Sequence, residues 1–181
     1  MTAHTTIDLD KAADFTARRV VNHVDDDGRS TTVEDATATT LTVTPAFTVV
    51  DLWRWDSLPA SVEDEDRLSA VELVPPPGAG VVRLACFPPD SVLGGADFDA
   101  ALSALGGEGT HAADDRVAGL HETDTVDVAI VVSGEIVCVT ECGETLLRQG
   151  DALVQRGNKH AWSNRTDQPV TVAFTMVSAT R

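Results

Sequence analysis

The chain has 181 residues, of which 43% are hydrophobic, so it can bury the core of one domain or of one domain with an arm. Its 29 acidic and 13 basic residues give a net charge of −16. Such a surface repels phosphate backbones, which argues against nucleic acid as a partner. No run of apolar residues is long enough to span a membrane, and residues 1–10 lack the basic and apolar regions of a signal peptide. We therefore expect no membrane partner and a cytoplasmic location.

The excess of acidic residues also suggests a salt-rich environment as a side hypothesis. Lys11 and Lys159 are the only lysines, and salt screens the repulsion between acidic side chains. Residues 1–118 contain no helix-turn-helix pattern, which argues against a fused transcription regulator.

The first part of the chain, residues 1–110, is predicted to be a β-rich arm that packs on the rest. The β-prone runs in it are residues 18–24, 37–43, 47–53 and 81–87. Apolar residues at Phe98, Leu102 and Leu105 predict one short helix over residues 97–105, which Gly106 and Gly107 end. A polar loop, residues 108–119, follows.

The second part, residues 111–181, has closely spaced strands separated by Gly and Asp turns. The predicted strands are residues 123–132, 136–140, 145–148, 152–155, 161–164 and 170–177. Many short strands with regular turns are typical of a sandwich or a barrel. We therefore expect an all-β fold and one compact domain overall.

Polar side chains recur at every second position from His121. Thr123, Thr125 and Asp127 share its parity and should point to the same side of an extended strand. His160, Trp162 and Asn164 share one face of a later strand in the same way. If both strands face one lumen, His121, Asp127 and His160 converge there.

These residues fall in two spaced motifs that closely resemble those of the cupin superfamily. In the first motif, His121, Asp127 and Gly134 match the family's first His, its Glu and its closing Gly, with Thr123 in place of the second His. In the second motif, Gly150, Gly157, His160 and Asn164 match, with Gln155 in place of the family's Pro. The resemblance covers roughly the last 60 residues. It implies a double-stranded β-helix, or jelly-roll-like, barrel that carries the N-terminal arm and the short helix.

The resemblance also implies a divalent metal ion in the lumen. His121, Asp127 and His160 would bind it, and they form a competent set for non-haem Fe(II) or for zinc with an open coordination position. The sequence does not distinguish Fe, Zn, Mn and Ni. In the alternative interpretation, His121 and His160 bind no metal and form hydrogen bonds inside the barrel. Thr123, Thr125, Gln155, Trp162 and Asn164 are the expected pocket residues around the site.

Three functions stay open at this point. The first is a small-molecule metalloenzyme of the cupin type, in which the ion is a Lewis acid or an O₂ activator and the reaction is that of a dioxygenase, decarboxylase, lyase or isomerase. The second is a non-catalytic barrel that binds or senses a small ligand with little or no metal. The third is a storage or structural barrel. Fold alone does not choose among them.

A homodimer is the expected oligomeric state. The predicted strands 47–53 and 81–87 carry more apolar surface than a small barrel can cover, and unpaired strand edges favour pairing. The resemblance to cupins implies pairing through such N-terminal strands.

Overall fold

A computed structural model describes residues 14–110 and 118–181 of the chain. The strands within these residues are β1 (Arg18–Val24), β2 (Ser30–Thr37), β3 (Leu41–Val43), β4 (Thr48–Trp55), β5 (Gly80–Phe87), β6 (Thr125–Ser133), β7 (Glu135–Thr140), β8 (Gly143–Arg148), β9 (Ala152–Arg156), β10 (Ala161–Ser163) and β11 (Val170–Ser178). One short α-helix, α1 (Phe98–Ser103), and a 3-10 turn, Asp90–Val92, lie between β5 and β6. The predicted all-β fold class with one short helix is confirmed.

Two antiparallel sheets form the walls of the barrel. The larger sheet has the strand order β3-β4-β5-β11-β6-β9, and the smaller has the order β10-β7-β8. Their inner faces meet in a buried cluster made of Ala129, Val131, Ile136, Cys138, Leu147, Val170 and Val172. Burial of these side chains from both sheets holds the walls together.

The larger sheet includes strands from both parts of the chain. β11 pairs with β5 on one side and with β6 on the other, and β4 pairs with β5. Helix α1 packs on this sheet through Ala101 and Leu102, which belong to one buried cluster with Val49 and Ala85. The larger sheet therefore contains strands from both sides of residue 110, the predicted end of the N-terminal arm.

The β1–β2 hairpin forms a sheet of its own and differs from the sequence prediction. The predicted strand 37–43 corresponds to the last residue of β2 and to the short β3, while most of β2 was not predicted. β2 has the sequence STTVEDAT and is exposed at every position except Glu34, so it lacks the alternation of apolar residues that reveals a half-buried strand. Ion pairs between Arg18 and Asp35 and between Arg19 and Glu34 link it to β1.

The predicted homodimer rests on exposed apolar surface of the strands now identified as β4 and β5. Phe15, Ala17 and Ala38 cluster with Val50 of β4 and Cys86 of β5, so these two strands are covered by the chain itself. The exposed apolar side chains of this sheet lie on β6, at Val126, Val128, Ile130 and Val132, on β3, at Leu41 and Val43, and on β9, at Val154. The homodimer stays a prediction. None of the helices in residues 14–110 and 118–181 has the length and apolar character needed to cross a membrane.

Candidate functional site

A cavity of about 80 Å³ lies inside the barrel, on the inner face of the larger sheet. Its wall is mostly apolar, and the apolar side chains come from β4, β5, β10, β11, the α1 region and the segments before them: Phe47, Val49, Leu73, Ala85, Phe87, Leu102, Leu105, Trp162, Phe174 and Met176. The polar side chains on it are Arg83, His121, Thr123, Asp127 and His160. One water needs roughly 10–15 Å³ of such space, so the cavity has room for roughly six atoms of that size. An apolar wall with a few convergent polar groups is the usual composition of a small-molecule site.

His121 and His160 lie side by side at the polar end of this cavity. Their backbones form an antiparallel bridge, in which His121 N donates to His160 O at 3.0 Å and His160 N donates to His121 O at 2.9 Å. This bridge brings the ring centroids to 4.5 Å from each other. The second motif and the first motif of the sequence therefore meet here.

Backbone carbonyls fix the orientation of both imidazoles. His121 Nδ1 lies 2.8 Å from Gly119 O, and His160 Nδ1 lies 2.9 Å from Asn158 O. A carbonyl oxygen only accepts, so Nδ1 is the protonated nitrogen in each ring and Nε2 carries the lone pair when the ring is neutral. Gly119 has a φ of +72°, and a Cβ there would lie 2.7 Å from Phe98 Cδ1, so glycine is required at this position.

Burial keeps His160 neutral. Its side chain is buried, and desolvation followed by the nearby charge of His121 lowers its pKa to about 4, against a weaker opposing effect of the hydrogen bond to Asn158. At neutral pH, His160 therefore presents an unprotonated nitrogen, which can accept a hydrogen bond or a proton.

Asp127 lies on the wall of the same cavity, on β6. Its side chain is buried, and its Oδ1 atom has no hydrogen-bond partner within the described part of the chain. Desolvation raises its pKa to about 6, while hydrogen bonding to Thr125 and the charge of Arg83 lower it by less. A buried carboxyl oxygen without a partner is costly in a folded protein, and such groups are concentrated at functional sites.

Arg83 and Asp51 form a buried ion pair beside this cavity. They are opposite each other on β5 and β4, and Arg83 Nε lies 2.9 Å from Asp51 Oδ1. The Arg83 guanidinium also donates to Glu72 O at 2.6 Å and to Leu73 O at 3.3 Å. Sequence reasoning missed this pair. A charged residue at an inward position of each apolar strand, in VVRLACF and TVVDLWRW, was the available signal.

The expected pocket residues divide into two groups. Thr123 and Trp162 line the cavity, whereas Thr125, Gln155 and Asn164 do not. The Thr125 hydroxyl lies 2.7 Å from that of Thr123 and so supports the wall from behind. Gln155 donates from Nε2 to Cys138 Sγ at 3.3 Å, inside the barrel wall.

Asn164 organises the turn after β10. Its Nδ2 donates to Phe87 O at 3.0 Å and to Gln168 O at 2.8 Å, and its Oδ1 accepts from Thr166 N at 3.0 Å and from Thr166 Oγ1 at 2.7 Å. All of its side-chain hydrogen-bonding capacity is thus used to join the ends of β5, β10 and β11, and its role in this fold is structural.

The predicted metal ligands share one cavity without forming a metal centre. Among the described residues, no three His, Cys, Asp or Glu side chains are grouped so that they could hold a metal ion. His121 and His160 adjoin, but Asp127 does not complete a three-ligand set with them. His111, a further candidate in the sequence, lies outside the described residues. Metal binding stays a prediction.

Comparison with curated proteins finds short regions of similarity to fungal proteins. A phomopsin biosynthesis cluster protein C′ of Diaporthe leptostromiformis is 39% identical over 69 residues, which are 36% of this chain and 36% of that protein. A cupin-domain-containing oxidoreductase, virC, of Hypocrea virens is 37% identical over 51 residues, which are 28% of this chain and 26% of that protein. The matched region spans about a third or less of these relatives. No family model matches the chain.

Solved structures with a similar fold include a Cupin 2 conserved barrel domain protein of Salinispora arenicola. That structure is 13% identical, with a TM-score of 0.45, and the match covers 77% of this chain and 82% of that chain. The curated relatives named as cupin-domain proteins agree with the family resemblance predicted from the two sequence motifs.

Proposed function

Since this chain has a cupin-type barrel, we propose that it binds a small organic molecule in the barrel lumen and moves a proton to or from it. The single observation that carries the proposal is the buried Oδ1 atom of Asp127, which has no hydrogen-bond partner among the described residues and belongs to a side chain on the wall of a mostly apolar cavity. A polar hydrogen of a ligand is the natural partner for this atom. The names of the curated relatives, which refer to biosynthesis clusters and to an oxidoreductase, support a small-molecule ligand.

Two groups are relevant to the proton chemistry. His160 is a neutral base at physiological pH, with its lone pair on Nε2 because Asn158 O holds the Nδ1 proton. The pKa of Asp127, about 6, lies close enough to neutrality for both of its protonation states to be populated. Because the pKa of Asp127 is the higher of the two, Asp127 is the group that takes up or returns the ligand's proton, while His160 stays neutral beside it.

The experiment compares phenol with toluene, two molecules of nearly equal shape that differ in a hydroxyl group. Calorimetry should give tighter binding of phenol than of toluene to the parent protein, and Asp127→Asn should reduce that preference by up to roughly tenfold, because a hydrogen bond to a carboxylate becomes a weaker one to an amide oxygen. Asp124→Asn is the matched control, since Asp124 is exposed and pairs with Arg181. Equal binding of phenol and toluene by the parent would overturn the proposal, as would equal effects of the two substitutions.

A metal-dependent form of this function is the second candidate. It is favoured by the backbone carbonyls that hold Nδ1 of both imidazoles, because metal-bound histidines usually donate their other nitrogen in this way. His121 and His160 would hold the ion, which would supply Lewis acidity. Two imidazoles fall short of the three protein ligands of a typical catalytic zinc site, so we derive no step from it.

Zinc titration of the parent, of His160→Ala and of Thr123→His separates the two candidates. The metal-dependent form predicts binding that His160→Ala abolishes and that Thr123→His strengthens, because the added imidazole restores the family's second His. Equal zinc affinity in the parent and in His160→Ala would assign the histidines to the metal-free form.

A further inference from the structure

A second cleft, larger than the inner cavity, shares one wall residue with it, Trp162. It has a volume of about 410 Å³, roughly five times that of the inner cavity, and Trp162 lines both spaces. The apolar side chains of this outer cleft come from the segment before α1, from α1 itself, and from β7 and β10: Leu93, Ala96, Phe98, Val139 and Ala161.

Aromatic neighbours hold the indole of Trp162 as the shared wall. Its ring centroid lies 5.9 Å from that of His160, 5.5 Å from that of Phe174 and 6.2 Å from that of Phe87. His160 and Phe174 meet the indole edge-on, a favourable arrangement for aromatic rings. Because Trp162 lines both spaces, a molecule that occupies both of them lies against its indole.

Polar side chains at the rim of the outer cleft satisfy one another. Arg165 forms a two-pronged pair with Glu144, at 2.8 and 2.7 Å, and Ser163 Oγ donates to Asp90 Oδ2 at 2.6 Å. Because the guanidinium and the carboxylates are already paired, the rim does not favour a charged group in the cleft. The apolar wall instead favours hydrocarbon.

We propose that the ligand lies across Trp162, with a small polar head in the inner cavity and an apolar tail in the outer cleft. The volumes and wall chemistry on the two sides of Trp162 carry this inference, which rests on the proposed function and extends it to a class of ligand. The volume of about 80 Å³ limits the head in the inner cavity to one small ring or a short polar group. The substrate class is therefore an amphipathic molecule such as an alkylated phenol.

The test measures the affinity of phenol, 4-ethylphenol, 4-butylphenol and 4-hexylphenol by calorimetry. In the parent, affinity should rise with chain length, by up to roughly fourfold for each methylene that the cleft buries. Ala96 lines the outer cleft and not the inner cavity, so Ala96→Trp should fill the cleft, leave phenol affinity unchanged and remove the gain with chain length.

A second pair of variants keeps the test decisive if Ala96→Trp folds poorly. Leu93→Glu places a charge on the cleft wall and should also reduce the gain, whereas Leu146→Glu makes the same change at an exposed leucine that does not line the cleft. A parent without a gain, or an undiminished gain in both Ala96→Trp and Leu93→Glu, overturns the inference. If phenol binds and chain length has no effect, the role of the outer cleft is rejected and the proposed function stands. If no member of the series binds, both the role of the outer cleft and the proposed function are rejected.

Discussion

Two buried carboxyl groups on the same sheet have opposite surroundings. Burial raises the pKa of both Asp51 and Asp127. Asp51 has an ion-pair partner, because Arg83 Nε lies 2.9 Å from its Oδ1 and Arg83 Nη2 donates to its Oδ2 at 3.2 Å. Asp127 Oδ1 has no such partner within residues 14–110 and 118–181. A buried carboxylate that has a cation beside it therefore does not by itself mark a site, whereas one without a partner points to a ligand.

The largest loss of stability is expected when the buried ion pair between Asp51 and Arg83 is broken. Arg83→Met leaves Asp51 buried without its partner, so we expect a loss of about 3–5 kcal/mol in the free energy of unfolding, measured by urea denaturation. The double variant Asp51→Leu with Arg83→Met removes both charges and should recover most of that loss. A loss below about 1 kcal/mol in Arg83→Met would contradict a structural role for the pair.

Removal of Asn164 should be the next most costly change, and it should leave the ligand site intact. Asn164→Ala leaves Phe87 O and Thr166 N without their Asn164 partner and removes one of the two side-chain donors to Gln168 O, so we expect a loss of about 2 kcal/mol with unchanged phenol affinity. Asn22→Ala, in the exposed β1–β2 hairpin, is the control. A drop in phenol affinity at constant stability would instead assign Asn164 to the pocket.

The buried carboxyl group of Asp127 should make the stability of the protein depend on pH. The pKa of Asp127 is about 6 when folded, against an ordinary value of 3.8, so the folded protein holds the proton more tightly. The stability contributed by that proton is full below about pH 4 and is lost as pH rises through 6. Relative to Asp127→Asn, the free energy of unfolding of the parent should fall by roughly 1–3 kcal/mol between pH 4 and pH 7. A difference that stays constant across this range would show that Asp127 is not desolvated.

The smallest effect is expected at the exposed ion pair between Arg18 and Asp35. Both side chains lie about half exposed on the β1–β2 hairpin, where water and salt screen their attraction. We expect Arg18→Ala to leave the urea midpoint unchanged within error. A midpoint shift as large as that of Arg83→Met would remove the distinction between exposed and buried pairs.

Local pattern predicted much of the fold. Strands β1 and β4 to β11 and helix α1 coincide, within a few residues, with the predicted β-prone or helical runs, which are bounded by Gly, Pro and Asp. The β2 strand could not be predicted in this way because its side chains are exposed and polar, and long-range ion pairs to β1 define it instead.

The candidate site was only partly predictable, because its residues are distant in sequence. Spacing brought His121, Thr123, Asp127 and His160 to one cavity, but strand parity also placed Thr125 there, and its side chain lies behind the wall. The apolar wall and the Asp51–Arg83 pair depend on strand register, which a single sequence does not reveal. Asn164 matched a motif position, yet its hydrogen bonds are structural.

A contact between Asp127 and a small polar ligand inside the barrel is tested most directly by the ¹³C resonance of the Asp127 carboxyl group during titration with phenol, with toluene as the control. We predict that phenol shifts this resonance, because its hydroxyl donates to the unpartnered Oδ1 atom, and that toluene does not. Phenol binding that leaves the Asp127 carboxyl resonance unchanged would contradict this contact.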